Sequence, residues 1–106
     1  MEVYMPDDLL ELYTTGKNKK YKAVANNREL FIGFVRAVRT MTSADDIDEL
    51  KRFSFLHYEQ LRYEWNGFSS VRLSNRYVHR LIFKESDKGI KIELIEIDDT
   101  HYGNKH

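Results

Sequence analysis

The sequence predicts an α+β fold, helices first and an antiparallel sheet after them, in a single domain spanning residues 1–106. Three observations point there. Apolar residues recur with helical period as far as residue 41. Beyond residue 68 that period gives way to short runs rich in β-formers. Turn-forming residues separate these runs, over distances short enough for a meander, and helices followed by such a meander make an α+β arrangement.

Val3, Tyr4 and Met5 suit a short opening strand. Pro6 then supplies the fixed φ favoured where a helix begins, and Asp7 and Asp8 suit the positive end of its dipole. Leu9, Leu10, Leu12 and Tyr13 give that helix an apolar face, with Gly16 as its expected stop. Residues 17–22 read as a basic connector. Gly16-Lys17 does not make a phosphate loop, because no glycine lies five positions upstream and no Ser or Thr follows the lysine. A second helix is expected over 26–41. There Leu30, Phe31, Phe34, Val35, Val38 and Met41 repeat with helical period, while Arg28, Arg36 and Arg39 occupy other directions. Ser43 is the expected cap of a short third helix over 44–51, with Asp46 at the capping-box position that usually holds glutamate. Strands are expected over 68–73, 77–84 and 90–97, the last reached through the turn Ser86-Asp87-Lys88-Gly89.

Composition narrows the function classes. Hydrophobic residues make up 42% and charged residues 32%, the profile of a globular rather than a disordered chain. Without cysteine, disulfide scaffolds, thiol chemistry and cysteine-based zinc sites are excluded. No stretch approaches the roughly 18 apolar residues of a membrane span. Met1-Glu2-Val3-Tyr4 lacks the charged and apolar regions of a secretory signal, so a cytoplasmic protein without membrane association is expected. Formal net charge is zero, but its distribution is uneven. Residues 17–39 carry seven Lys/Arg against Glu29 alone, and residues 51–84 carry seven more against Glu59 and Glu64. Acids gather in 2–11, 45–49 and 85–99. A basic surface for nucleic acid and an ordinary solvated charge pattern both remain open.

Several fragments, in order, resemble one family. The stretch Leu61-Arg62-Tyr63-Glu64-Trp65-Asn66-Gly67-Phe68-Ser69-Ser70-Val71-Arg72 is similar to a signature of the RelE/ParE superfamily of toxins, HigB/YoeB-like branch. His79-Arg80-Leu81-Ile82-Phe83 resembles that family's Arg-Leu-Ile-Phe strand, and Ile95 to Tyr102 resembles its final strand, which closes on His-Tyr. Leu12-Tyr13-Thr14-Thr15-Gly16-Lys17 fits the HigB branch. The resemblance implies N-terminal helices packed on a twisted antiparallel sheet, with an RNA site on the sheet's concave side. It implies a ribosome-dependent endoribonuclease that cuts messenger RNA without metal or other cofactor. It also implies a cognate antitoxin that binds and silences the protein in a hetero-oligomer. Two departures stand out. The separation from Arg72 to Arg80 is two residues longer than is usual, so the hairpin around Asn75 and Arg76 should be extended. Net charge is also lower than in most relatives, which tend to be basic.

Metal-free cleavage of RNA requires a base for the 2′-hydroxyl, groups that stabilise charge on the phosphoryl oxygens, and an acid for the departing 5′-oxygen. By the resemblance, Glu59 is the general base, although HigB-type relatives often carry histidine there. Its other reading is a surface acid beside Arg62. Arg80 matches the arginine facing the scissile phosphate, where a planar guanidinium can grip two oxygens. Arg62 and Arg72 match further substrate-binding positions; Arg72 and Arg80 could each be an ordinary solvated strand residue, Arg80 less readily because it lies inside the apolar run 78–83. His101 is the candidate general acid, since an unperturbed imidazole titrates at about pH 6.5 and can donate near neutrality. Tyr102 follows it and is placed to stack on a base or bond the phosphate. His57 reads as structural, and His79 should point away from Arg80 in a regular strand. Asp98, Asp99 and His101 do not complete a metal shell. Trp65 and Phe68, flanking Gly67, read as core or as stacking platforms. The alternative functions are a ParE-like poison of DNA gyrase, a branch that typically lacks this acid-base set, and a degenerate homologue that only binds antitoxin.

Overall fold

In the computed structural model, which describes residues 1–99, nine helices and strands follow one another. They are β1 (Glu2–Tyr4), α1 (Asp7–Thr15), α2 (Lys22–Ala25), α3 (Arg28–Ser43), α4 (Ile47–Leu50), β2 (Glu59–Gln60), β3 (Ser69–Arg72), β4 (Arg80–Ser86) and β5 (Lys91–Asp98). Short 3-10 turns at Ser54–Leu56, Tyr63–Trp65 and Asp87–Gly89 join the later ones. Among the described residues the strands form one sheet in the order β1-β5-β4-β3-β2. The α+β expectation holds, and β2 to β5 pair antiparallel as the meander required. β1 adds a parallel edge, with Val3 opposite Ile92. The whole helical layer separates β1 from the strand it joins, and a parallel pairing needs a crossover of that length. Among the described residues no helix is long and apolar enough to cross a membrane.

Local chemistry explains most boundaries. Pro6 precedes α1 at φ −68°, and Gly16 ends it in the left-handed region at φ 76°, its N–H donating to the carbonyl of Leu12. The connector at 17–22 runs into a turn of helix, α2, because Val24 is drawn into the core. α3 starts where the Asn27 side chain accepts from the Leu30 N–H at 3.1 Å. It runs two residues past the expected end and takes in Ser43, so Ser43 is no cap. Asp46 caps α4 instead, accepting from the Glu49 N–H at 2.9 Å, and α4 is a single turn rather than the eight residues expected. Residues 73–79 lie between β3 and β4.

The core lies between the helices and one face of the sheet. Leu9, Leu12, Leu30, Phe34, Val38 and Met41 from the helices meet Val71, Leu81, Phe83, Ile92 and Leu94 from the strands. α3 comes closest at Gly33, where a Cβ would sit 1.9 Å from the carbonyl oxygen of Leu73. A helix that close to a strand end tolerates no side chain at that position.

Candidate active site

Strand alternation sets out the second face of the sheet. Arg80 opens β4, with Arg72 of β3 opposite it on one side and Asp98 of β5 on the other. Glu59 of β2 stands opposite Ser70, and Ser70 opposite Ile82. Residues opposite one another, or two apart on one strand, share a face. Glu59, Ser70, Arg72, Arg80, Ile82 and Asp98 therefore project together, away from the helices. Leu81 and Phe83, both fully buried in the core, fix this phase, and a one-residue slip would exchange them with Arg80 and Ile82. Ile82 and Leu61 are buried apart from the main core, which gives the second face its own apolar support.

Arg80 sits between two carboxylates. Its Nη1 donates to Glu59 Oε1 at 3.5 Å, and its Nη2 lies 3.9 Å from Asp98 Oδ2. The two acids differ in exposure. The Asp98 side chain is 8% exposed and that of Arg80 12%, whereas Glu59 is 63% exposed. An anchored guanidinium beside an accessible carboxylate can hold a phosphoryl group and accept a proton from a neighbouring hydroxyl. Asp98 is the partner that sequence reasoning missed, having weighed it only as a metal ligand. Strict alternation from Ile92 and Leu94 would have turned Asp98 toward the core, and the register shift opposite Ile82 and Phe83 puts Ile97 there instead and Asp98 on the Arg80 face.

The remaining expected residues divide. Arg72 is opposite Arg80, but its Nη2 donates to the carbonyl of Tyr77 at 2.7 Å, so it braces the loop between β3 and β4. Its Nε is buried without a hydrogen-bond partner among the described residues. Arg62 is exposed in the β2–β3 connection, just before the Tyr63–Trp65 turn, and forms no recorded ion pair among the described residues. His101 and Tyr102 lie outside the described residues. His57 holds the β3–β4 loop, with Nε2 2.9 Å from Asn75 Oδ1. Trp65 and Phe68 pack edge to face, ring centroids 5.5 Å apart, and both are half-buried. His79 precedes β4, half-buried, with Nδ1 lacking a hydrogen-bond partner among the described residues.

A separate polar cluster lies on the helix side of the sheet. The Tyr58 hydroxyl donates to Glu85 Oε2 at 2.6 Å, and Ser69 Oγ reaches the same oxygen at 3.2 Å. Burial, reinforced by the Glu85 carboxylate, pushes the Tyr58 phenol up to about 12. Its three groups satisfy one another, and it faces away from Arg80.

No protein-family model matches the chain, and no curated protein matches it in sequence. Solved structures do match over nearly its whole length. A YoeB/ParE toxin from Agrobacterium tumefaciens superposes with TM-score 0.53 at 17% identity, covering 95% of this chain and all of that one. The YoeB dimer from Staphylococcus aureus gives 0.51 at 18% identity, covering 96% of this chain and 98% of that one. YoeB in its complex with YefM, from the same organism, gives 0.50 at 19% identity with the same coverage. The helices and mixed sheet described above are thus the fold of the YoeB/ParE toxins.

Proposed function

We propose that the chain is the toxin of a type II toxin-antitoxin system and an endoribonuclease that cleaves messenger RNA on the ribosome without metal. The observation that carries this is the Arg80 guanidinium, backed by buried Asp98 and standing 3.5 Å from exposed Glu59, on the sheet face that no helix among the described residues covers. In this reading a substrate phosphate takes over Arg80 Nη1, which releases the Glu59 carboxylate from its contact. Glu59 removes the proton of the 2′-hydroxyl, and that oxygen forms a new bond to phosphorus. The bond from phosphorus to the 5′-oxygen breaks, and His101 supplies the proton the leaving oxygen needs. The products are a 2′,3′-cyclic phosphate and a 5′-hydroxyl. Arg62 and Tyr102 hold the flanking message, and Arg72 acts by keeping the β3–β4 loop in place. YoeB has been solved with YefM bound, which supports a cognate antitoxin as the resting partner here, in the cytoplasm and in a hetero-oligomer.

Induction in a bacterial host with mapping of RNA 5′ ends tests the reading. Cuts within translated frames are expected, and Glu59→Gln, Arg80→Ala and His101→Ala should each remove them while the protein still accumulates. Growth arrest with intact transcripts and broken DNA would overturn the nuclease in favour of a gyrase poison. Cleavage that survives Arg80→Ala would overturn the assignment of the site.

A further inference from the structure

A surface helix ordinarily turns polar residues to solvent, and α3 does so only in part. Phe34, Val38 and Met41 face the sheet. On the outward stripe, at helical spacing, Ile32, Val35 and Arg39 succeed one another, with Phe31 and Arg36 beside them. Phe53, from the segment after α4, closes the far side of a groove of about 520 Å³. Ile32 is 50% exposed and Phe53 37%. Ile32 and Arg36 also line an adjoining cavity of about 500 Å³ that reaches the β3–β4 loop, so the groove continues past its first pocket.

The charge in the first pocket has one sign. Arg36 and Arg39 line it and no carboxylate does. Arg36 lies over the ring of Phe55 at 4.5 Å, and neither arginine is in a recorded ion pair with a described residue. We infer that this groove is the docking site for an amphipathic segment of a partner protein, one that sets apolar side chains on Ile32, Val35 and Phe53 and carboxylates against Arg36 and Arg39. Ile32 and Val35 set aliphatic side chains alongside the Phe31 and Phe53 rings, a mixed apolar lining that amphipathic protein segments fill. The groove belongs to the helical layer, whereas Arg80 projects from the far face of the sheet. A segment seated here anchors a partner and leaves the Arg80 face uncovered, so silencing would need a second segment of that partner. The inference rests on the proposed toxin-antitoxin reading for the existence of the partner, and on the groove alone for its place and chemistry.

The test uses the full chain and the product of the adjacent reading frame, co-expressed and purified as a complex. Ile32→Asp and Arg39→Glu should each weaken binding by about 10-fold or more, with melting temperature and RNA cleavage by the free chain unchanged. An acid-to-arginine change in the partner should restore binding to Arg39→Glu. Wild-type affinity in both folded variants would overturn the docking site and leave the toxin-antitoxin reading standing. Absence of any complex would overturn the partner, and the inference with it. Loss of self-association in Ile32→Asp would make a second copy of the chain the occupant. Loss of ribosome binding in Arg39→Glu would make it RNA. Either result overturns the inference.

Discussion

At the scale of single residues, the proposed site gives the two carboxylates beside Arg80 different tasks, one for stability and one for chemistry. Asp98 is buried, so removing it takes the buried counter-charge from a largely buried cation, whereas Glu59 is in solvent and its contact with Arg80 is long. Asp98→Ala should therefore cost about 3 kcal/mol in denaturant unfolding, and Glu59→Gln about 0.5 kcal/mol or less. The same Glu59→Gln change should abolish cleavage. Equal losses of stability in the two variants would contradict this division of labour. Tyr58 gives a pH-dependent counterpart. Its folded phenol is held above the ordinary value of 10.0, at about 12, by burial and then by Glu85. The unfolded chain releases that proton first, so the associated stability is complete below pH 10 and is lost as pH climbs toward 12. Tyr21, also raised mainly by burial, adds a loss of the same sign. Unfolding midpoints of Tyr58→Phe should fall less steeply than wild type over that alkaline range. Arg80 was legible in sequence because it sits in an apolar run with Leu81 and Phe83. Asp98 was not, because its burial depends on pairing with β4 across a register shift between Ile82 and Phe83 that no local pattern reveals.

At the scale of elements, α3 organises the molecule, and Gly33 is its most constrained position. In an isolated helix Gly→Ala stabilises by about 1 kcal/mol. Here the added methyl would meet the Leu73 carbonyl at 1.9 Å, so the β3–β4 loop or the helix must shift. Gly33→Ala should destabilise by about 1–3 kcal/mol and lower the melting temperature by roughly 5 °C or more. A variant as stable as wild type would show that α3 and the loop yield without strain. The same element illustrates what sequence reasoning can reach. The helical period over Leu30, Phe34, Val38 and Met41 gave α3 its core face. The boundary at Ser43 was misplaced because a serine suits a cap or a helix end equally, and only the geometry at Asp46 decides. β2 escaped notice for a different reason, since two residues are too few to display alternation and its pairing with β3 is wholly tertiary.

At the scale of the whole molecule, a net charge of zero conceals two arginine-bearing surfaces, to which the proposals above give different partners. One is the Arg80 face of the sheet, and the other is the outer stripe of α3. Sequence located the charge runs, but a run along the chain does not say which side of a sheet or helix it reaches, so the two surfaces separate only in three dimensions. Salt distinguishes them. Each phosphate neutralised on single-stranded RNA contributes about −0.7 to the slope of log affinity against log salt. Arg62, exposed in the β2–β3 connection, has no ion pair among the described residues and is available to a phosphate, whereas Arg72 is committed to the Tyr77 carbonyl. Binding can be followed on ribosomes carrying a 2′-O-methylated message, which lacks the hydroxyl needed for attack. Arg62→Ala should flatten the slope by about 0.7, whereas Arg72→Ala should weaken affinity and leave the slope unchanged. Arg39→Ala should change neither, because its groove suits a protein segment. A slope flattened by Arg39→Ala would instead join the two surfaces into one path for RNA around the molecule.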